Sequence, residues 1–357
     1  MTLPVRSRIA LGVLAMSAVL TLSSAVPAAA GNAAARTGWR VAFSHQYSHI
    51  AGYSTVVVPG SRDAWALGGT FTGAGSPIAA RWRGRHWYTF ALPRAVQGSV
   101  IAASAVSSSD IWSVTSNGSV IHWNGKRWYV AKHLPVTTTA WVITGITAFS
   151  HGDVWVFGAS GYGPGIGTWH QHGRTWTHVT GSGNDIAAGS ALSPASIWAI
   201  NGDSKPVSAL MHYNGATWRQ VRAKALTGLS FGSVVAITPG DVWALGSGPK
   251  PGQHWLLHLA RKSWTRVAVP TRPGVPYRIF ADGQGGLWAA ATNSDGSYRL
   301  LHYSRSGRWS NSLTGMYGTG IGDIAVIPGT TSAWGVGAVA LKSGTIYPAI
   351  WAHGRTG

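Results

Sequence analysis

Short apolar runs bounded by Gly, Pro, Asn and Ser recur along the whole chain and read as β-strands rather than helices. In one stretch the pattern predicts four strands, over Val142–Phe149, Asp153–Ala159, Ile166–His172 and Thr175–Val179. Ser150-His151-Gly152, a Gly-rich loop and His172-Gly173-Arg174 separate them. The second run, with Val154-Trp155-Val156-Phe157, is continuously apolar where a half-solvated strand would alternate, so it is expected to be covered on both faces. Asn124-Gly125 and Asn214-Gly215 lie between such runs and predict type I′ hairpins, whose two central residues need positive φ.

This unit repeats. Asp63-Ala64-Trp65, Asp110-Ile111-Trp112, Asp153-Val154-Trp155, Ser196-Ile197-Trp198, Asp241-Val242-Trp243, Gly286-Leu287-Trp288 and Ser332-Ala333-Trp334 place a Trp every 43 to 47 residues. A second Trp follows 16 to 22 residues later, at Trp87, Trp128, Trp176, Trp218, Trp264 and Trp309. The seventh unit lacks its second Trp, and Thr37-Gly38-Trp39-Arg40-Val41 near the other end reads like the strands holding Trp176 and Trp218. The pattern therefore predicts an all-β, seven-bladed β-propeller with four-stranded antiparallel blades, its last blade closed by the N-terminal strand. Burying one Trp removes roughly 150–250 Å² from water, about 4–6 kcal/mol as an upper estimate. The columns of Trp39, Trp65, Trp112, Trp155, Trp198, Trp243, Trp288 and Trp334 are thus the expected structural anchors.

Composition extends the picture at the start of the chain. Arg6 and Arg8 precede an apolar run from Ile9 to Leu22 and then Ala28-Ala29-Ala30, which reads as a signal peptide over residues 1–30. Residues 31–36 follow as a short linker and 37–357 as the propeller, so the expected location is secreted, with no transmembrane segment after signal removal. Cys is absent from the sequence, so no disulfide supports an exported fold. Without Arg6 and Arg8 the chain carries 26 Lys plus Arg against nine Asp and not one Glu, a formal charge of +17 that favours acidic partners.

The aligned repeats resemble secreted bacterial propellers of the Kelch and Asp-box kind, from Trp39 to Gly354. His172-Gly173-Arg174-Thr175-Trp176 and Asn214-Gly215-Ala216-Thr217-Trp218 look like the Gly-x-Thr-Trp half of an Asp-box, although the Ser-x-Asp start is missing in both. The resemblance implies an architecture shared by sialidases, oxidases, lectins and scaffolds, and it leaves activity open. A sialidase-like site needs an acid beside a Tyr nucleophile, but Glu is absent. The Asp residues mostly occupy repeated or Gly-flanked positions expected to cap turns. A copper radical site of the galactose-oxidase kind lacks its Cys. His122, His170, His212, His258 and His302 form a column filled by Arg81 in blade one and Trp351 in blade seven, and are expected to hydrogen-bond nearby turns, much as in WD-repeat blades. Members of such a column are spread around a ring, so neither a metal nor another cofactor is expected. Gly161-Tyr162-Gly163-Pro164-Gly165-Ile166-Gly167 leads into a strand, not a helix, and is not a phosphate loop.

Connections from second to third and from fourth to first strands vary in length, and both emerge on one face. That face is the expected binding surface. Its candidate ligand-binding residues are Trp141, Tyr162, Lys250, His254, Tyr277, Arg278, Tyr298, Tyr317 and Tyr347, aromatics interleaved with cations that suit sugars and anionic groups. Further cations, including Arg83, Arg85, Lys126, Arg127, Arg174, Arg261, Lys262 and Arg308, predict a basic belt on the outer strands and their turns. The expected function is a non-enzymatic, monomeric binding or interaction propeller for an acidic polysaccharide, another cell-wall polymer or a protein, without specific nucleic-acid recognition. The alternative is a polysaccharide lyase in which Tyr or His abstracts a proton beside a uronate carboxylate neutralised by Arg.

Overall fold

A computed structural model describes residues 38–356 except 73–74, 137–142, 160–165, 203–207, 271–273, 318–319 and 341–344. The predicted signal peptide and linker lie outside the described residues, as do Trp141 and Tyr162. Among the described residues, no helix is long and apolar enough to cross a membrane.

The strands form seven four-stranded antiparallel sheets. Blade one comprises Ala51–Gly60, Asp63–Thr70, Pro77–Trp82 and Trp87–Phe90 in sequential order. Blades two to six repeat that order from the first strands Val100–Ser107, Ile143–Ser150, Ile186–Ser193, Ser230–Thr238 and Val275–Ala281. Blade seven combines Ile321–Val326, Ala333–Ala340 and Ile346–His353 with Trp39–Ser44 as its outermost strand. The closure is in register as expected, with Trp39 opposite His353 and Arg40 opposite Ala352.

First strands of adjacent blades pack side by side around the ring. A strand edge there has spare N–H groups, and side chains of the preceding blade take several of them. Ser104 Oγ accepts from Ala148 N at 3.0 Å, Ser190 Oγ from Ala236 N at 2.9 Å and Ser233 Oγ from Ile279 N at 3.2 Å. Between blades seven and one a carboxylate serves instead, Asp323 Oδ2 accepting from Val56 N and Thr55 Oγ1, both at 3.0 Å.

Second strands are buried almost throughout, as in the iBBBBB pattern of Asp153–Gly158, because both their faces meet neighbouring blades. The two Trp columns then interlock the blades. Each second-column Trp packs on the first-column Trp of the preceding blade: Trp128 on Trp65 at 5.3 Å, Trp218 on Trp155 at 6.3 Å, Trp264 on Trp198 at 5.9 Å and Trp87 on Trp334 at 5.1 Å between ring centroids. Trp176 and Trp309 join the apolar clusters of Trp112 and Trp243. Trp39 does the same for the last joint, 5.4 Å edge-on from Trp288, with its Nε1 donating to Ser312 Oγ at 3.1 Å.

Three local expectations are corrected. The loops at Asn124-Gly125 and Asn214-Gly215 hold four residues, between the pairs Trp123–Trp128 and Tyr213–Trp218. Only the Gly of each has positive φ; the Asn carboxamide instead accepts from the two following turn amides, 3.0–3.1 Å in the first loop and 2.9–3.1 Å in the second. The third strand of blade three starts at Trp169, not Ile166, because Gly167 turns to φ 67° and Thr168 bonds Asn184. In blade seven the residue opposite Trp334 is Ala352, with Trp351 one place earlier.

Candidate functional site

The histidine column is built from hydrogen-bonded pairs inside each blade. A His on the third strand lies directly across from the first-column Trp, so the two rings meet: His122 on Trp112 at 4.2 Å, His170 on Trp155 at 4.0 Å and His258 on Trp243 at 3.7 Å. Each Nε2 reaches an Asp two residues before that Trp, His122 to Asp110 at 2.7 Å, His170 to Asp153 at 2.8 Å and His258 to Asp241 at 2.9 Å. These Asp residues therefore serve their His partners, where the sequence pattern predicted turn caps. Asp282 does both: blade six has Gly286 at the repeated place, and Asp282 caps its turn as expected by taking the N–H groups of Gln284 and Gly286 while also reaching His302 at 2.8 Å. In blade four Ser196 supplies the hydroxyl to His212 at 3.1 Å.

Blade one breaks the pattern. Arg81 occupies the His position opposite Trp65 and forms a two-pronged pair with Asp63, Nε to Oδ1 at 3.0 Å and a terminal nitrogen to Oδ2 at 3.2 Å. Its guanidinium is buried against Trp65 and Trp123, 4.7 and 5.0 Å from their ring centroids. Beside it a cleft of about 520 Å³ is lined by Gly60, Ser61, Arg62, Asp63, Arg81, Arg83 and by Ser108 from blade two. Arg62 and Arg83 are exposed. Gly84, at φ 77°, leaves room for the Arg62 stem, whose Cβ and Cγ would lie 3.2 Å from a Cβ there. Three arginines thus line the cleft with one carboxylate, which Arg81 already pairs. The cleft lies on the short-turn face, opposite the face expected from loop variability. Its sequence signal was Arg81 in a histidine column; the convergence of Arg62 and Arg83 was not legible, because it depends on how two turns of one blade meet.

On the variable-loop face the structure brings together Tyr277, Arg278 and Tyr298. The two rings are 6.5 Å apart and edge-on, and burial pushes both phenols above their ordinary value. Arg278 donates to Gly322 O at 2.9 Å and lies 3.7 Å from Asp323, so its charge is already engaged. Burial raises the Asp323 carboxyl, against the opposing pull of Arg278 and of the hydrogen bonds from Val56 and Thr55. His254 shares a hydrogen bond with Ser247 at 3.1 Å, and Lys250 is exposed in the adjoining turn. Tyr347 is half-buried opposite Val339. Tyr317 ends a strand opposite Ser297, its side chain outside the described residues. The outer belt is present as expected: Arg83, Arg85, Lys126, Arg127, Arg174, Arg261, Lys262 and Arg308 are all exposed.

No protein-family model matches the chain, and no curated protein matches it. Solved structures do. "YCF48 bound to D1 peptide" superposes with a TM-score of 0.61 at 12% identity, over 87% of this chain and 96% of that one. The RRP9 WD40 repeats superpose with a TM-score of 0.59 at 10% identity, over 88% and 96%. The BP39L lectin from Burkholderia pseudomallei gives 0.51 at 14% identity, over 86% and 99%. At these identities the likeness is one of fold, the seven-bladed propeller common to peptide-bound, WD40 and lectin structures.

Proposed function

We propose that the chain is an exported, non-enzymatic binding propeller of Kelch or Asp-box-like descent that takes an anionic polymer, an acidic polysaccharide of the cell envelope, at the blade-one cleft and along the cationic rim. The observation that carries this reading is the replacement of the repeating His by Arg81 beside two exposed guanidiniums, with a single, already paired carboxylate opposite. The structural neighbours support a binding role, since one is solved with a peptide and another is a lectin. The tyrosine form of the lyase alternative would need a phenolate beside a free guanidinium, whereas burial raises the phenols of Tyr277 and Tyr298 and Arg278 is engaged by Asp323.

Titrating untagged protein with polygalacturonate at rising salt tests this. Wild type binds, and its affinity falls steeply with ionic strength. Arg62→Ser with Arg83→Ser weakens binding by about tenfold, the size of one charge-assisted hydrogen bond. Lys126→Ser with Arg127→Ser removes equal charge from the neighbouring rim and weakens binding much less. Equal losses in both variants would reduce the cleft to part of a general belt, and absence of binding at low salt would end the proposal.

A further inference from the structure

Among the described residues, blade two is where three potential metal donors converge. Its Asp110–His122 pair is approached by His151 from the first turn of blade three, so that one ligand atom from each of the three residues lies within 4.8 Å of the others. His151 is exposed, His122 is buried and Asp110 lies between these extremes, so solvent reaches the cluster from the side of His151. The equivalent turn positions of blades one, two, four and five hold Ser61, Ser108, Pro194 and Pro239, none of which offers an imidazole. The sister pairs Asp153–His170 and Asp241–His258 serve as built-in controls without a third donor; in blade six His353 interacts with both Asp282 and His302, but among the described residues those three do not close to the same spacing.

We infer that Asp110, His122 and His151 form a binding site for a divalent transition-metal ion of the zinc class, bridging blades two and three. Two imidazoles and a carboxylate are the donor set such ions favour, with the remaining position open toward solvent. His122 Nδ1 is held by the Tyr129 hydroxyl at 2.8 Å, which fixes the ring and leaves Nε2 as the ligating atom. Trp112 Nε1 donates to Asp110 Oδ1 at 2.8 Å and orients the carboxylate. On binding, the ring's proton moves to Nδ1, where it donates to the Tyr129 hydroxyl oxygen, and the ion takes its place between Nε2 and Oδ1, so these atoms part from 2.7 Å to the roughly 3.3 Å spacing of two ligands on a tetrahedral centre.

Zinc is titrated calorimetrically into the untagged full chain, chelator-stripped, at pH 7.5, as wild type and as the His151→Ala and His172→Ala variants. His151 and His172 are both exposed, so circular dichroism spectra are expected to be unchanged in each. Wild type takes up one equivalent, His151→Ala loses about tenfold or more in affinity, and His172→Ala binds as wild type does. Lack of saturable uptake by wild type, an undiminished His151→Ala, or an equal loss in His172→Ala would each overturn the assignment.

Discussion

Arg261 and Lys262 stand at φ 48° and 70° in the two-residue loop between the paired Ala260 and Ser263. This is the blade with a two-residue turn whose centres are both left-handed, and it has side chains where Asn-Gly would be at ease. Left-handed backbone costs such residues about 1–2 kcal/mol each. Arg261→Asn with Lys262→Gly is therefore expected to raise stability by about 1–2 kcal/mol in urea unfolding; an unchanged midpoint would show that the turn stores no strain. The same residues mark a limit of sequence reading. Asn-Gly signalled turns correctly but not their type, since the Asn carboxamide can satisfy a longer loop, and Arg-Lys gave no signal because tertiary pairing imposes its conformation. Arg81 was visible as an irregularity in a column, yet its meaning required the Asp63 pairing and the neighbouring turns of blades one and two.

Single elements were legible wherever packing repeats. The count of seven and the role of the first strand followed from tryptophans because the joints between blades repeat the packing of a second-column Trp against the first-column Trp of the preceding blade or its apolar cluster, and Trp39 on Trp288 continues that pattern. Strand limits were less legible where one Gly such as Gly167 ends an apolar run early. Trp39 is fully buried, so Trp39→Ala is expected to cost about 3–5 kcal/mol, measured by chemical unfolding. Removing the chain up to Ser44 uncovers the edge of Ile346–His353, and concentration-dependent association is expected in sedimentation velocity. A truncated chain that stays monomeric and as stable as wild type would mean that the outer strand of blade seven contributes little.

Across the whole molecule, imidazoles couple folding to pH. His122, His212, His254 and His353 are all held below the ordinary imidazole value, burial being the largest cause in each. Unfolded, each takes up a proton near pH 6.5, whereas the folded chain resists until a lower pH. The unfolded state thus binds more protons in that window, so stability falls as pH drops below about 6.5 and levels off below the folded values. Urea midpoints at pH 7.5 and 5.5 are expected to show the loss; equal midpoints would contradict burial of these rings in solution.

Trp39 and His353 are partners although nearly the entire chain separates them. A ribosome releases the earlier residue long before the later one exists, so the ring has no means of locking until Ile346–His353 has been made. Six blades can assemble along the way, but the seventh waits for its last strand. During that interval the ring remains open, and the pairing of its first strand with Ile346–His353 acts as the latch.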